Sequence, residues 1–173
     1  MTDDWIIRPA RRDELPGLNE LERAAGARFD AISELAALPE VLAPQEDLAE
    51  AFDVGLVWVA VATADDAPIG FAYADPLDDA HQLEELDVLP AWGRRGIGQA
   101  LVATVVDEAR ARGLAAVTLT TFRDVAWNAP FYRRLGFRVV EPAEWSPALR
   151  ELMAYEERRG LPPALRVVMR REV

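Results

Sequence analysis

Leu86-Asp87-Val88-Leu89-Pro90-Ala91-Trp92-Gly93-Arg94-Arg95-Gly96-Ile97-Gly98-Gln99-Ala100-Leu101 decides how the rest of the chain reads. The stretch has the pattern of a strand, a tight turn and the opening of a helix. Pro90 has no N–H to give to a sheet ladder, so it ends the strand. Gly93, Gly96 and Gly98 carry no Cβ, which lets the backbone turn sharply and approach a ligand. Beyond Gly98, the residues Leu101, Val102, Val105, Val106 and Ala109 recur at three- and four-residue spacing, the period of a helix with one apolar face. The turn therefore sits at a helix N-terminus, where unpaired N–H groups and the positive end of the dipole favour a phosphate. Arg94 and Arg95 add two fixed positive charges.

Two familiar nucleotide loops do not fit. There is no Gly-Lys-Ser/Thr ending, and Gly93-x-x-Gly96-x-Gly98 reverses the dinucleotide spacing. On its own the turn could equally be a tight strand-to-helix connection. It resembles the acetyl-CoA pyrophosphate loop of the GNAT N-acetyltransferases, written Gln/Arg-x-x-Gly-x-Gly/Ala, with Gly93 standing where the family usually has Gln or Arg. The resemblance implies that Gly93, Arg94, Arg95, Gly96, Ile97, Gly98 and Gln99 cradle the diphosphate of acetyl-CoA. It implies further that the backbone of Leu86, Asp87 and Val88 pairs with pantetheine, which carries amides and can lie like another strand. In the family this strand splays from the next one, here Val117 to Thr121.

Composition narrows the classes. A chain of 173 residues is expected to form a single domain, 1–173, able to bury roughly 70% of the surface it exposes unfolded. There is no Cys, which excludes disulfides, thiolate nucleophiles and zinc–thiolate sites. No signal peptide is evident and no run is long enough to cross a bilayer, so the expected compartment is the cytoplasm and no membrane is expected as partner. The net charge is −11, which disfavours nucleic acid or an anionic membrane surface. Every basic residue is Arg. The acidity fits a cationic acceptor such as an amine, and equally a protein kept soluble by its charge.

Taken in order, the chain alternates strands and helices. Trp5 to Arg8 reads as a first strand, entered directly from the acidic Met1 to Asp4. A helix opens near Asp13 with Leu15, Leu18 and Leu21 on one face. Residues 26–45 read as irregular, either a lid over an acceptor site or a packed connection. A short helix follows over Glu46 to Phe52. Leu56 to Ala62 is apolar on both faces, hence a central strand. Ile69 to Ala74 is its hairpin partner, Asp75 to Ala80 a turn, and Gln82 to Leu89 the strand that feeds the glycine turn. Further strands are expected at Val117 to Thr120, Phe137 to Val140 and Ala164 to Arg171, with helices over Ala126 to Arg134 and from Ser146 to Gly160. Leu149, Leu152, Met153 and Tyr155 mark the buried side of the last helix. This is an α/β (α+β) pattern without repeats or linkers. The resemblance to the GNAT family implies a mixed, mostly antiparallel sheet of about seven strands flanked by helices.

A second segment, Trp127-Asn128-Ala129-Pro130-Phe131-Tyr132-Arg133-Arg134-Leu135-Gly136-Phe137, resembles the family's helix ending in Tyr-x-x-x-Gly-Phe. The resemblance gives Tyr132 the role of the acid that protonates the leaving thiolate of coenzyme A; packing against Phe131 is the alternative. Asn128, one turn earlier, faces the same side. It is either a cofactor contact or a helix cap.

An amine acceptor is protonated in water and must lose a proton before it can attack a thioester. A carboxylate beside the attack point can take that proton. Glu84 and Glu85 stand just before Leu86 and point to opposite faces of a strand, so only one can serve. Polyamine acetyltransferases of the family carry an acidic residue at the position of Glu84, which puts Glu84 first and Glu85 second. Solvated charge on the sheet is the alternative for each. The lone His81 reads as a surface residue at the strand entrance.

These residues together predict direct acetyl transfer from acetyl-CoA to a primary amine of a small molecule or peptide, in a ternary complex and without a metal. A non-catalytic acyl-CoA-binding module on the same fold is the alternative. Family members are often dimers, so the resemblance also allows a homodimer.

Overall fold

The computed structural model describes residues 4–173; the acidic Met1 to Asp3 lie outside the described residues. The strands are β1 (Trp5–Pro9), β2 (Val57–Ala62), β3 (Pro68–Leu77), β4 (Ala80–Val88), β5 (Ala116–Phe122), β6 (Arg138–Val140) and β7 (Arg166–Glu172). The helices are α1 (Leu15–Gly26), α2 (Ser33–Ala36), α3 (Gln45–Asp53), α4 (Ile97–Ala111), α5 (Ala129–Arg134) and α6 (Pro147–Arg158). The seven strands run in the order β1-β2-β3-β4-β5-β7-β6. β4 and β5 pair in parallel, and the pairs β1–β2, β2–β3, β5–β7 and β6–β7 are antiparallel. This is the mixed, mostly antiparallel sheet that the sequence led us to expect. The chain divides into two compact units, one of Met1–Ala37, Leu42–Asp75 and Glu84–Val105, the other of Leu38–Val41, Pro76–Leu83 and Val106–Val173.

In the first unit, every residue of β2 is buried, as its unbroken apolar run requires of a strand with neighbours on both sides. Leu15, Leu18, Leu21 and Ala25 form the buried stripe of α1, and Glu22 lies on the same stripe. Each fully buried Leu contributes about 2 kcal/mol through removal of apolar surface from water. Arg8 on β1 binds Glu14 through two hydrogen bonds of 2.6 and 3.0 Å and also reaches Asp66. The Arg8 guanidinium holds the Glu14 carboxyl below its ordinary range. Asp66 is in the left-handed region at φ 59°, a conformation Asp tolerates in a turn.

In the second unit, β5 and β7 pair from Ala116↔Glu172 to Phe122↔Arg166, and β6 lies along β7 from Arg138↔Arg170 to Val140↔Val168. α6 opens as predicted: the Ser146 hydroxyl accepts from Leu149 N at 3.1 Å and Pro147 follows at the first helical position. It stops ahead of Gly160, which has φ 94°. Val140, Leu149, Met153 and Val168 form a small core on which Leu77, Trp145 and Leu152 pack.

Three local expectations are corrected. β3 runs on to Leu77 and β4 begins at Ala80, so the expected turn over Asp75 to Ala80 shrinks to Asp78 and Asp79. Asp78 makes this possible by taking φ 52°. His81, expected at the surface, lies inside β4 at 2% exposure. Tyr155, expected on the buried side of α6, is 40% exposed. The helical step from Leu149 to Met153 continues to Glu156 instead, and Glu156 is buried against Arg166 at 3.1 Å. Among the described residues no helix is long and apolar enough to cross a membrane.

Candidate active site

The glycine turn belongs to the first unit. β4 ends at Val88, Leu89 N donates to Ile69 O at 2.8 Å, and Pro90–Trp92 forms a single 3-10 turn. Arg94 and Gly96 both lie in the left-handed region, at φ 61° and φ 83°. Gly93 does not: its φ is −61°, and a Cβ there would sit 3.2 Å from Pro90 O. Glycine is needed for conformation at position 96 and for space at position 93. Ala100 N donates to Gly96 O at 3.0 Å, which closes the first turn of α4. The N–H groups of Ile97, Gly98 and Gln99 therefore belong to the set that a helix start leaves without an intrahelical acceptor. Ile97 is buried at 1% exposure and, with Leu101, Val102, Val105 and Val106, anchors the helix under the turn. The Arg95 guanidinium stacks 4.7 Å from the centroid of the Trp92 ring and lies 3.9 Å from the Asp4 carboxylate. Arg94 is exposed.

Side chains alternate along β4, so Glu85 and Asp87 share a face that Glu84 does not. Glu85 and Asp87 meet Glu22 from α1, and one carboxylate oxygen from each lies within 4.8 Å of the others. Glu22 is 6% exposed and Asp87 5%; Glu85 is half-buried. Glu22 is held in place by Ala43 N at 3.0 and 3.1 Å and by Asn19 Nδ2 at 3.0 Å. Asp87 Oδ2 is buried and has no hydrogen-bond partner among the described residues. Burial, reinforced by Glu85, raises the Glu22 carboxyl to about 8. Burial, reinforced by Glu22 and opposed by Arg28 and by Glu85, raises that of Asp87 to about 7. Burial, reinforced by the negative charges of Glu84 and Glu85, keeps the Tyr73 hydroxyl protonated.

Tyr132 and Asn128 belong to the second unit. α5 begins at Ala129, three residues later than expected, with Asn128 at its cap position but no side-chain cap bond. Asn128 Nδ2 donates instead to Thr121 Oγ1 at 2.7 Å, and its Oδ1 is buried with no partner among the described residues. Tyr132 is 7% exposed, with its ring edge-on to Phe131 and Phe137 at 5.1 and 5.7 Å. The parallel ladder of β4 with β5 covers Ala80↔Ala116 to Leu83↔Leu119.

Of the sequence-predicted residues, the structure brings Glu85 and Asp87 together and adds Glu22, which sequence reasoning passed over. Its signal was present: Glu22 stands four residues after Leu18 and seven after Leu15, a carboxylate on an apolar stripe. Asp87 was expected to offer only its backbone, yet its side chain is the deepest of the three.

The sequence profile of the Acetyltransferase (GNAT) family matches residues 21–137. The chain belongs to that family, and the matched span holds every residue described above from Glu22 to Tyr132. Three solved structures share the fold. Rv2747 from Mycobacterium tuberculosis, in complex with CoA and NLQ, is 22% identical with a TM-score of 0.70 over 97% of this chain and 99% of that one. PaiA N-acetyltransferase from Thermoplasma acidophilum, in complex with coenzyme A, is 17% identical with a TM-score of 0.67 over 98% and 99%. N-acetylglutamate synthase from Neisseria gonorrhoeae, complexed with coenzyme A and N-acetyl-glutamate, is 18% identical with a TM-score of 0.72. The match covers 97% of this chain but 35% of that one. At these identities the likeness is one of fold.

Proposed function

We propose that residues 1–173 act as one N-acetyltransferase domain that moves an acetyl group from acetyl-CoA to a primary amine in a ternary complex. One observation carries this reading. Inside the family-matched span, a turn with Arg94 and Gly96 at positive φ delivers the chain to the N-terminus of a 15-residue helix. Such a start can hold a diphosphate on main-chain N–H groups, and Arg94 and Arg95 add charge beside it.

The chemistry follows from the groups available. The acceptor ammonium gives a proton to a carboxylate of β4, Glu84 or Glu85. Its freed lone pair forms the N–C bond to the acetyl carbon, the C–S bond breaks, and the sulfur leaves with the electron pair. Tyr132 donates its hydroxyl proton to that sulfur, and the second proton that the nitrogen sheds as the amide forms restores the phenol; the carboxylate passes its own proton to solvent. The short β4–β5 ladder supports pantetheine pairing with Leu86 to Val88, because it occupies only Ala80–Leu83 of β4. Asn128 Oδ1 supplies an acceptor for a cofactor amide.

A panel of amines with acetyl-CoA, followed by free thiol release, tests this function. Acceptor-dependent thiol release is the expected result. Heat on titrating coenzyme A without turnover on any amine would leave a binding module instead.

A further inference from the structure

We propose that Glu22, Glu85 and Asp87 form a cage for the ammonium group of the acceptor, which makes the acceptor class an alkyl amine with no carboxylate beside its nitrogen. This rests on the acetyl-transfer reading above and names the substrate class for it.

Three carboxylate oxygens within 4.8 Å of one another can all face one ammonium, which offers three N–H donors at tetrahedral angles. The second observation is the orphaned oxygen. Asp87 is 5% exposed, its Oδ2 has no hydrogen-bond partner among the described residues, and its carboxylate faces the other two. A buried acceptor atom without a donor is destabilising, and a ligand N–H removes that cost. Glu22 is already oriented by Ala43 N and Asn19 Nδ2, as a carboxylate built to receive a ligand should be. Glu85 is half-buried and gives the cage its path to solvent. The set contains only oxygen donors, and all of them are acidic. An α-amino acid would bring its own carboxylate against three others, and like charges at that range repel.

Glu22 and Asp87 relieve the charge of the cage by holding protons. Glu22 is raised to about 8, chiefly by burial and then by Glu85, and Asp87 to about 7, chiefly by burial and then by Glu22. Arg28 is the positive charge acting on Asp87 from outside the cage. An entering ammonium takes the place of those protons. Binding therefore releases protons and tightens as pH rises towards that of the fully ionised cage.

The test is calorimetry on the full chain with butylamine and with glutamate, with and without coenzyme A, at about pH 6 and about pH 8.5 in two buffers of different ionisation heat. Butylamine is expected to bind about tenfold tighter at the higher pH with proton release, and glutamate to give no heat. Asp87→Asn and Glu22→Gln should each weaken butylamine about tenfold, and in Glu22→Gln the heat of coenzyme A remains; the pair guards against one variant failing to fold. Equal binding of butylamine and glutamate, or butylamine binding indifferent to pH and to both variants, overturns the cage. Loss of coenzyme A heat in the parent protein overturns the acetyl-transfer reading instead, and the amine titrations still decide the cage by themselves.

Discussion

The carbonyl oxygen of Asp87 stands where Gly70 leaves room for it: a Cβ on Gly70 would lie 2.7 Å from that oxygen and 3.2 Å from Val88 Cγ2. The obstacle is main chain, so it cannot swing aside. Gly70→Ala must push β4 away from β3 at the residue that carries the deepest carboxylate. A loss of about 1–3 kcal/mol in urea unfolding is expected, the usual cost of forcing extra atoms into packed structure. A variant as stable as the parent would show that the two strands are not held this close.

The raised carboxyls of Glu22 and Asp87, at about 8 and about 7, make stability depend on pH in a definite direction. In the unfolded chain both titrate near 4 to 4.5. Between there and pH 8 the folded protein holds more protons than the unfolded one, so folding becomes less favourable as pH rises. The contribution is fully present below the unfolded values and is lost as pH passes the folded ones. Thermal midpoints should fall from about pH 5 to about pH 8 on this account. Asp87→Asn should flatten that slope and gain on the order of 2 kcal/mol over the parent above pH 8. A slope unchanged by the substitution would place the titration elsewhere.

Tyr132→Phe removes one hydroxyl and leaves a ring that still packs edge-on to Phe131 and Phe137. If that hydroxyl protonates the departing sulfur, thiol release should drop by about a hundredfold or more, in the range usual for a lost general acid. The Kd for coenzyme A should stay within about twofold, since the hydroxyl acts on the leaving group rather than on the diphosphate. Turnover equal to the parent would move the acid role to another group.

Gly96→Ala separates backbone conformation from crowding. A Cβ at Gly96 would meet nothing within 4 Å, but φ there is +83°. The substitution is therefore expected to cost about 1–2 kcal/mol through strain alone. It should also weaken coenzyme A by tilting the N–H groups that follow. Gly93→Ala, where φ is −61°, should instead show the effect of contact with Pro90 O and have the smaller cost. Equal thermal shifts in the two variants would count against the left-handed turn.

What the sequence disclosed and what it hid follow one physical rule. The buried stripe of α4, the strand-ending Pro90 and the Ser146 cap were legible because each is decided by residues within a turn or two of itself. Glu22 was passed over because its partners Glu85 and Asp87 lie more than sixty positions away; only its seat among leucines hinted at burial. His81 was misplaced because two aspartates precede it, and they imitate a long exposed turn that Asp78 closes in two residues. Asn128 was legible as a choice between cap and contact. Its bond to Thr121 depends on a strand that the helix alone does not announce.

The stacking of Arg95 on Trp92, 4.7 Å from guanidinium carbon to ring centroid, gives the glycine turn an optical reporter. Indole emission responds to a cation on its face, and an anion captured by the turn would draw that guanidinium away. Titrating coenzyme A should shift the fluorescence of the parent protein, and Trp92→Phe should reduce the shift while the other four tryptophans of the five remain.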